Sequence, residues 1–212
     1  MRLPARVLAG GVAAALLLAG CSPETTGTAT PAPSGAASSS GASSGASSDP
    51  DVPKVTAPLD VSKYASKPCD IVPGSVLSSL RFTDPGHTQL QDDGLGAAGP
   101  GCGWKISGEG VSMQVIIGTG NRDRGAGGLA GLYGAHESGQ LPFLEPAPAV
   151  DGYPAIYLDK RDRRPIGNCV MDVGVADDVA INVYAGGYEG ADDSCAAAQK
   201  VAASIITTLK GA

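Results

Sequence analysis

The sequence is poor in histidine, and residues 55–212 contain no motif of a catalytic nucleophile. The only histidines of the 212 residues are His87 and His136. Two isolated histidines make a poor metal site. A Ser–His–acid triad also needs a serine on a sharp elbow, and no Gly-x-Ser-x-Gly occurs between Val55 and Ala212. We therefore predict that the chain is not an enzyme and has no catalytic residue, no metal and no cofactor.

Phosphate loops and calcium loops are also absent. Gly118, Gly120 and Gly125 lie between a predicted strand and a predicted helix, but their spacing does not match Gly-x-Gly-x-x-Gly, and no Gly-Lys-Ser/Thr follows. The adjacent carboxylates do not match a calcium loop, and each pair has a local explanation as a loop, a hairpin turn or a helix cap. These pairs are Asp92-Asp93, Asp177-Asp178 and Asp192-Asp193.

A long hydrophobic run occurs once. Val7 to Ala19 is apolar, follows Arg2 and Arg6, and ends in small residues before Cys21, which is the pattern of a secretory signal. The run is shorter than the ~20 residues of a spanning helix. The segment Leu18-Ala19-Gly20-Cys21 resembles the lipobox of bacterial lipoproteins. This resemblance implies cleavage before Cys21, a diacylglycerol on its thiol and a location on the outer face of the cell membrane.

The segment from Ser22 to Asp51 contains no aromatic and no large aliphatic residue. Such a composition does not bury enough apolar surface to fold. We predict a signal peptide over 1–20, a lipidated cysteine and disordered tether over 21–54, and a single globular domain over 55–212. A flexible tether of this length spans on the order of 30 Å root-mean-square.

The charge is acidic, which argues against nucleic acid as a partner. The whole chain has 15 Lys and Arg against 21 Asp and Glu. Removal of Arg2 and Arg6 with the leader leaves 13 against 21, a net charge of −8. Nucleic-acid affinity comes largely from neutralising phosphates, so a chain of this charge is a poor binder.

The cysteines that remain after Cys21 number four, which in an exported chain indicates two disulfides. Three pairings are possible, and we favour Cys69–Cys102 and Cys169–Cys195 because each closes within one half of the domain. A zinc site with four thiolates is the alternative, although no Cys-x-x-Cys pair is present.

The apolar periodicity predicts an α+β fold with an antiparallel sheet of about five to six strands and a few helices. Strands are expected around Trp104, from Val111 to Ile117, from Tyr153 to Leu158, and in a hairpin about Asp177-Asp178. Helices are expected near Pro73–Leu80 with Ser75 or a neighbour as cap, near Leu129–His136, and at the C-terminus with Asp192 or Asp193 as cap. Cys195 is expected to pin the last helix to the sheet.

Several short motifs together resemble a family of actinobacterial lipoproteins, domain of unknown function 3558. They are Lys67-Pro68-Cys69-Asp70, Gly101-Cys102-Gly103-Trp104, Gly118-Thr119-Gly120-Asn121, the helix start at Ser194-Cys195, the lipobox and the Ser/Ala/Gly tether. The resemblance implies an envelope lipoprotein with paired disulfides and implies no activity. The order of elements is also similar to the Mog1/PsbP-like fold of some lipoproteins.

The densest positive charge lies in Lys160-Arg161-Asp162-Arg163-Arg164, here named the basic turn. With Arg122 and Arg124, these cations are the candidate contacts to an anionic partner. We predict a non-enzymatic binding or accessory module on the outer face of the membrane, with an envelope protein, a wall polymer or a lipid as its unidentified partner. The alternative is a carrier of a lipid or other apolar ligand in a cavity between sheet and helices.

Overall fold

The computed structural model describes residues 52–89 and 98–212. The predicted signal peptide, Cys21, almost all of the predicted tether and Asp92-Asp93 lie outside the described residues. The strands are β1 (His87–Gln89), β2 (Gly101–Lys105), β3 (Ser112–Ile117), β4 (Phe143–Val150), β5 (Tyr153–Asp159), β6 (Cys169–Ala176) and β7 (Val179–Gly186). The α-helices are α1 (Gly74–Ser79), α2 (Thr119–Asp123), α3 (Gly128–Glu137) and α4 (Ala191–Lys210), and short 3₁₀ turns occur at Ser62–Tyr64, Pro68–Ile71 and Arg164–Ile166.

The seven strands form one antiparallel sheet in the order β1-β2-β3-β7-β6-β5-β4. Two runs of consecutive hairpins meet where β3 pairs with β7, with Ser112 opposite Gly186 and Ile117 opposite Ile181. β4 is an edge strand and contains Pro146 and Pro148, which suits an edge because proline has no N–H to donate to a neighbouring strand. The predicted α+β class with an antiparallel sheet is confirmed, with seven strands instead of five to six.

One face of the sheet packs against α4, and alternation of apolar and polar residues explains why. Every second residue of the central strands faces this helix and is at most 1% exposed: Met113, Val115, Ile117, Met171, Val173, Val175, Ile181 and Val183. The matching stripe of α4 consists of Ala198, Val201, Ala202, Ile205, Ile206 and Leu209. These side chains fill the space between the helix and the strands that it covers.

The opposite face is covered in part by α3. Leu129 of α3 packs with Ile156 and Leu158 of β5. Beneath this layer Asp172 of β6 is buried, and Asn182 of β7 donates a hydrogen bond of 2.7 Å from Nδ2 to its Oδ2. Burial raises the pKa of Asp172 to about 6, against the lowering effect of the Asn182 hydrogen bond.

Two disulfides tie the helical layer to the sheet. Cys69 is joined to Cys102 of β2, and Cys169 of β6 is joined to Cys195 in the first turns of α4. This is the pairing that the sequence favoured, and it leaves no thiol of the four for the alternative zinc site. The last helix is therefore attached covalently to the central part of the sheet.

Several local expectations were wrong. α4 begins after Gly190 without a side-chain cap, and Asp192 and Asp193 lie inside its first turn. α1 also has no side-chain cap, because the residue before it is Pro73 and Ser75 lies within the helix. The segment between the strand that ends at Ile117 and the helix near Leu129 contains the short helix α2, which the sequence did not predict. The strand β1 was not expected, because three residues carry too little alternation to be recognised.

Candidate functional site

The sheet has two ends, and the candidate residues divide between them. At one end, here named the entry end, Leu59 N–H donates to Val175 O and Val55 N–H donates to Asp177 Oδ1. At the other end, here named the far end, the chain turns at residues 106–111, 160–168 and 187–190. No helix in the described ranges is long and apolar enough to cross a membrane.

The basic turn lies at the far end, and its two C-terminal arginines are held within the protein. Arg164 donates to Asp162 Oδ1 at 2.9 Å and to Glu145 Oε2 at 2.8 Å. Its guanidinium also lies 4.7 Å from the centre of the Phe143 ring and 5.1 Å from that of Tyr157. Hydrogen bonding to Asp162 raises the pKa of Arg164 and lowers that of Asp162. Arg164 is therefore fixed between two rings and two carboxylates.

The other cations of the basic turn differ in exposure. Arg163 Nε donates to Asp159 Oδ2 at 2.7 Å. Lys160 and Arg161 are exposed, and neither side chain forms an ion pair with a described residue. The free positive charge of the turn is therefore that of these two residues.

Arg122 and Arg124 lie at the entry end, because they follow β3 and Gly118 N–H donates to Ala180 O. Arg122 pairs with Asp123 at 3.0 Å, and Arg124 Nη2 donates to Asn121 Oδ1 at 2.6 Å. The structure therefore separates these two arginines from the basic turn by the length of the sheet. The two sets of candidate cations do not form one surface.

The two histidines lie on different elements. His136 in α3 is half-buried, and its Nδ1 is 2.6 Å from the carbonyl oxygen of Leu141. His87 begins the edge strand β1, where it is exposed. In residues 52–89 and 98–212, no three His, Cys, Asp or Glu side chains are grouped so as to hold a metal ion.

Two open clefts flank α1. The first, here named the disulfide cleft, has a volume of about 680 Å³ and is lined by Cys69, the buried rings of Phe82 and Trp104, and the exposed carboxylates Asp70 and Asp84. Asp70 follows Cys69, and Asp84 lies in the turn before β1. This cleft has apolar walls and an acidic rim.

The second cleft, here named the Tyr188 cleft, lies at the far end and has a volume of about 510 Å³. Its lining residues are Ser79, Leu80, Arg81, Ile106, Glu109, Val111, Gly187, Tyr188, Glu189 and Asp193. Two of its walls touch, because a Cβ on Gly187 would lie 2.2 Å from the carbonyl oxygen of Gly110. Gly187 has φ +84°, so glycine is required there both for the backbone conformation and for the close approach.

The backbone of Tyr188 is also held by the segment that precedes β6. Its N–H donates to Gly167 O at 3.1 Å. Gly167 has φ +77°, and a Cβ at this position would lie 1.7 Å from Tyr188 O. The loop that carries Tyr188 is therefore fixed between the turn after β2 and the segment that joins the basic turn to β6.

Arg81 bridges the mouth of the Tyr188 cleft. Its two terminal nitrogens donate to Glu109 Oε1 at 3.0 Å and Oε2 at 2.5 Å. Its side chain is 65% exposed, so water competes for this pair. Arg81 follows the C-terminus of α1 with φ +69°, a left-handed conformation that glycine usually occupies at this position.

The polar groups of the Tyr188 cleft are incompletely paired. The Tyr188 hydroxyl is the one buried side-chain polar atom without a hydrogen-bond partner in the described part of the chain. Burial raises its pKa, and the charge of Arg81 acts in the opposite direction. Glu189 and Asp193 are exposed and have no ion-pair partner among the described residues. Asp193 lies in the first turn of α4, whereas Glu189 precedes the helix.

Sequence reasoning did not identify Arg81, Glu109, Tyr188 or the buried Asp172. Each lies in a different part of the sequence, and no spacing motif connects them. A weak signal was present for Glu109, because Gly108-Glu109-Gly110 places a carboxylate at the tip of a predicted turn. For Arg81 and Tyr188 we find no such signal, since their proximity depends on the pairing of β3 with β7.

Comparison with known proteins gives a family and no activity. A family model described as "Protein of unknown function (DUF3558)" matches residues 16–208. No curated protein matches the chain, and no solved structure matches it. The expected likeness to the Mog1/PsbP-like fold therefore stays a prediction. The match covers both disulfides, both clefts and the described fold as far as residue 208, and the chain belongs to the DUF3558 family.

Proposed function

We propose that the chain is a cell-envelope lipoprotein, anchored through lipid on Cys21, whose folded part is a non-enzymatic binding module outside the cytoplasmic membrane. The sequence supports the anchor, since a positive n-region and a short apolar run precede Cys21. The two disulfides agree with an oxidising, extracytoplasmic location. The family description assigns no activity that this proposal has to accommodate.

The Tyr188 cleft is the observation that carries the binding role. It is an open site of about 510 Å³ whose walls come from fixed elements, and it contains a buried hydroxyl without a partner and two carboxylates without ion-pair partners among the described residues. Recognition sites commonly place a few unpaired polar groups on a preformed scaffold. Buried polar atoms in proteins are nearly always hydrogen-bonded, so the Tyr188 hydroxyl leaves the polar groups of this cleft incompletely paired within the protein.

The position of this cleft suits a tethered module. The chain contacts the sheet at the entry end, near Val55, whereas the cleft lies at the far end. In a protein attached through Cys21, the predicted tether joins the domain at the end away from the cleft. The cleft is then free to face partners in the envelope, and the exposed Lys160 and Arg161 at the same end offer a second, anion-facing contact.

The packing between α4 and the central strands argues against the alternative of an apolar-ligand carrier. In the described residues, the space between α4 and the strands that it covers is filled by side chains such as Met171, Val173 and Ile205, each at most 1% exposed. The two clefts that flank α1 are open and lined by polar as well as apolar residues. We therefore propose binding at a surface cleft.

The first test concerns the anchor. Cys21→Ser in the full-length chain is expected to abolish labelling by a fatty-acid analogue and to release the protein from the membrane fraction. Cys21→Ala serves as the matched control and is expected to behave in the same way. Retention of either variant in the membrane after a salt wash would contradict the proposed anchor.

The second test concerns the cleft. A photo-crosslinking residue introduced at Glu189, at the mouth of the cleft, is expected to capture an envelope component in intact cells. The matched control carries the same residue at Glu137, an exposed glutamate on α3. Capture at both positions to the same extent, or at neither, would contradict a binding role for the cleft.

A further inference from the structure

We propose that the Tyr188 cleft binds an arginine side chain from an extracytoplasmic protein segment, and that this side chain competes with Arg81 for Glu109. The inference deepens the proposed function and rests on it, because it names the ligand class for the same cleft.

The net charge of the Tyr188 cleft disfavours an anionic ligand and favours a cationic one. The cleft contains three carboxylates, on Glu109, Glu189 and Asp193, and one cation, Arg81. Its formal charge is therefore −2. An anionic ligand would face two uncompensated carboxylates, whereas a cation finds two acceptors that have no ion-pair partner among the described residues. The acidic chain as a whole also attracts a cationic segment at long range.

The geometry at Glu109 favours a guanidinium over an ammonium group. Both terminal nitrogens of Arg81 donate to the two carboxylate oxygens of Glu109, which is the planar two-point contact that arginine forms and lysine does not. The cleft therefore already presents a carboxylate in an orientation that a guanidinium fits. Leu80, Ile106 and Val111 supply apolar walls against which the three methylenes of an arginine stem can pack.

The Arg81–Glu109 pair is suited to exchange. Both side chains are largely open to water, at 65% and 44% exposure, so little is lost when a second guanidinium takes the place of Arg81. Arg81 is also in a left-handed backbone conformation at φ +69°, where glycine is favoured. The Tyr188 hydroxyl is buried, so a ligand can contact it only if a side chain of the cleft moves aside.

The test is a titration of the full-length protein, in a mild nonionic detergent, with N-acetyl-arginine amide at low ionic strength. N-acetyl-citrulline amide has nearly the same shape without the charge and is the matched control. We expect the arginine compound to bind at least about tenfold more tightly than the citrulline compound, and binding to weaken as salt rises. Equal binding of the two compounds, or no saturable binding of either, would overturn the proposal. Equal binding of N-acetyl-lysine amide would overturn the choice of arginine.

Two variants separate competition from a purely structural pair. Glu109→Gln is expected to weaken binding of the arginine compound about three- to tenfold, because it removes the two-point acceptor. Arg81→Gly is expected to strengthen binding about threefold, because it removes the competitor and suits the left-handed backbone. Lys54→Gly, which removes an exposed cation at the entry end and away from both clefts, is the control and should leave the affinity unchanged. Changes of the same sign in Glu109→Gln and Arg81→Gly would contradict competition.

Failure of this inference is distinguishable from failure of the proposed function. If crosslinking at Glu189 captures a partner and the arginine compound does not bind, the binding role stands and the ligand class is wrong. If neither occurs, both are wrong. A basic wall component without arginine, captured at Glu189, would likewise overturn the inference and leave the binding role in place.

Discussion

Arg164 and Arg81 lie at the same end of the sheet, and both are ion-paired, but they are held in different ways. Arg164 is 19% exposed, contacts two aromatic rings and donates to two carboxylates. Arg81 is 65% exposed and has one carboxylate partner. A charge that is enclosed on several sides is part of the fold, whereas a charge with one solvated partner is available for exchange. The local density of cations is therefore a poor guide to where a partner binds.

The largest expected effect comes from breaking the scaffold that the two arginine regions share. Cys169 follows the basic turn, and Cys195 follows the loop of the Tyr188 cleft. Replacing both by alanine is expected to lower the free energy of unfolding by about 3 kcal/mol, because the loop that the bond closes gains entropy when unfolded. Denaturant unfolding of the full-length protein measures this loss.

The Cys69/Cys102 double alanine variant is the matched control for that prediction. The Cys69–Cys102 bond closes a loop of similar length, so its removal is expected to cause a similar loss of stability. We expect binding of N-acetyl-arginine amide to be weakened in the Cys169/Cys195 variant and preserved in the control, both measured where the proteins are folded. Equal loss of binding in the two variants would show that the Tyr188 cleft depends only on global stability.

The next effect lies outside both arginine regions and concerns pH. Burial raises the pKa of Asp172 from 3.8 to about 6. Between pH 3.8 and about pH 6, the folded state therefore holds a proton that the unfolded state has released. The free energy of unfolding is therefore expected to fall as pH rises from about 4 to about 6. Above about pH 6, the loss of stability caused by the buried, charged carboxylate of Asp172 is complete.

Asp172→Asn is expected to remove this dependence and to stabilise the protein at pH 7–8 by at most about 3 kcal/mol, with no gain below pH 4. The amide oxygen can still accept from Asn182. Urea unfolding of both proteins from pH 4 to pH 8 checks the sign. A wild-type stability that rises over this range would contradict the assignment.

Because Arg164 is enclosed and Arg81 is exposed, we expect Arg164→Ala and Arg81→Ala to lower the melting temperature to different extents. Loss of Arg164 removes two ring contacts and two ion pairs, and we expect the melting temperature to fall by about 2–6 °C. Loss of Arg81 is expected to shift it by less than about 2 °C, because its pair is exposed to water. Equal shifts in the two variants, measured by calorimetry, would remove the distinction between an enclosed and an exchangeable arginine.

The smallest expected effect is that of Arg81→Gly on the folded protein. Glycine adopts φ +69° without strain, so the melting temperature is expected to stay the same or to rise slightly. Because the charge of Arg81 opposes the rise caused by burial, the pKa of Tyr188 is expected to increase further in this variant. Ultraviolet titration of the phenol, with Tyr188→Phe as the reference, measures that change. A lower Tyr188 pKa would contradict the proximity of the two groups.

Much of the fold followed from patterns that are local in sequence. The alternation in Ser112–Ile117 and in the hairpin of β6 and β7 predicted their strands, and the apolar stripe of α4 predicted its helix. Cap positions were less predictable, since Gly190 precedes α4 and the acidic residues lie within its first turn. A cap depends on which backbone groups remain unpaired after packing, and the apolar pattern does not contain this information.

The candidate site was not predictable in the same way. Lys160–Arg164 is conspicuous because its charges are adjacent, yet Glu145 reaches Arg164 only after β4 pairs with β5, and Asp162 within the turn pairs with it as well. The Tyr188 cleft joins residues from the end of α1, the turn after β2 and the loop before α4. Contacts of this kind depend on the order of the strands in the sheet, which cannot be read from a single sequence.

The central claim, that Arg81 is exchangeable and Arg164 is not, is tested most directly by NMR of the arginine side chains in the full-length protein. On addition of N-acetyl-arginine amide, we predict that the guanidinium signals of Arg81 shift and its N–H groups exchange faster with water. The signals of Arg164 should not change, because its rings and carboxylates stay in place. Unchanged Arg81 signals at saturating ligand, or equal changes at Arg81 and Arg164, would contradict the account.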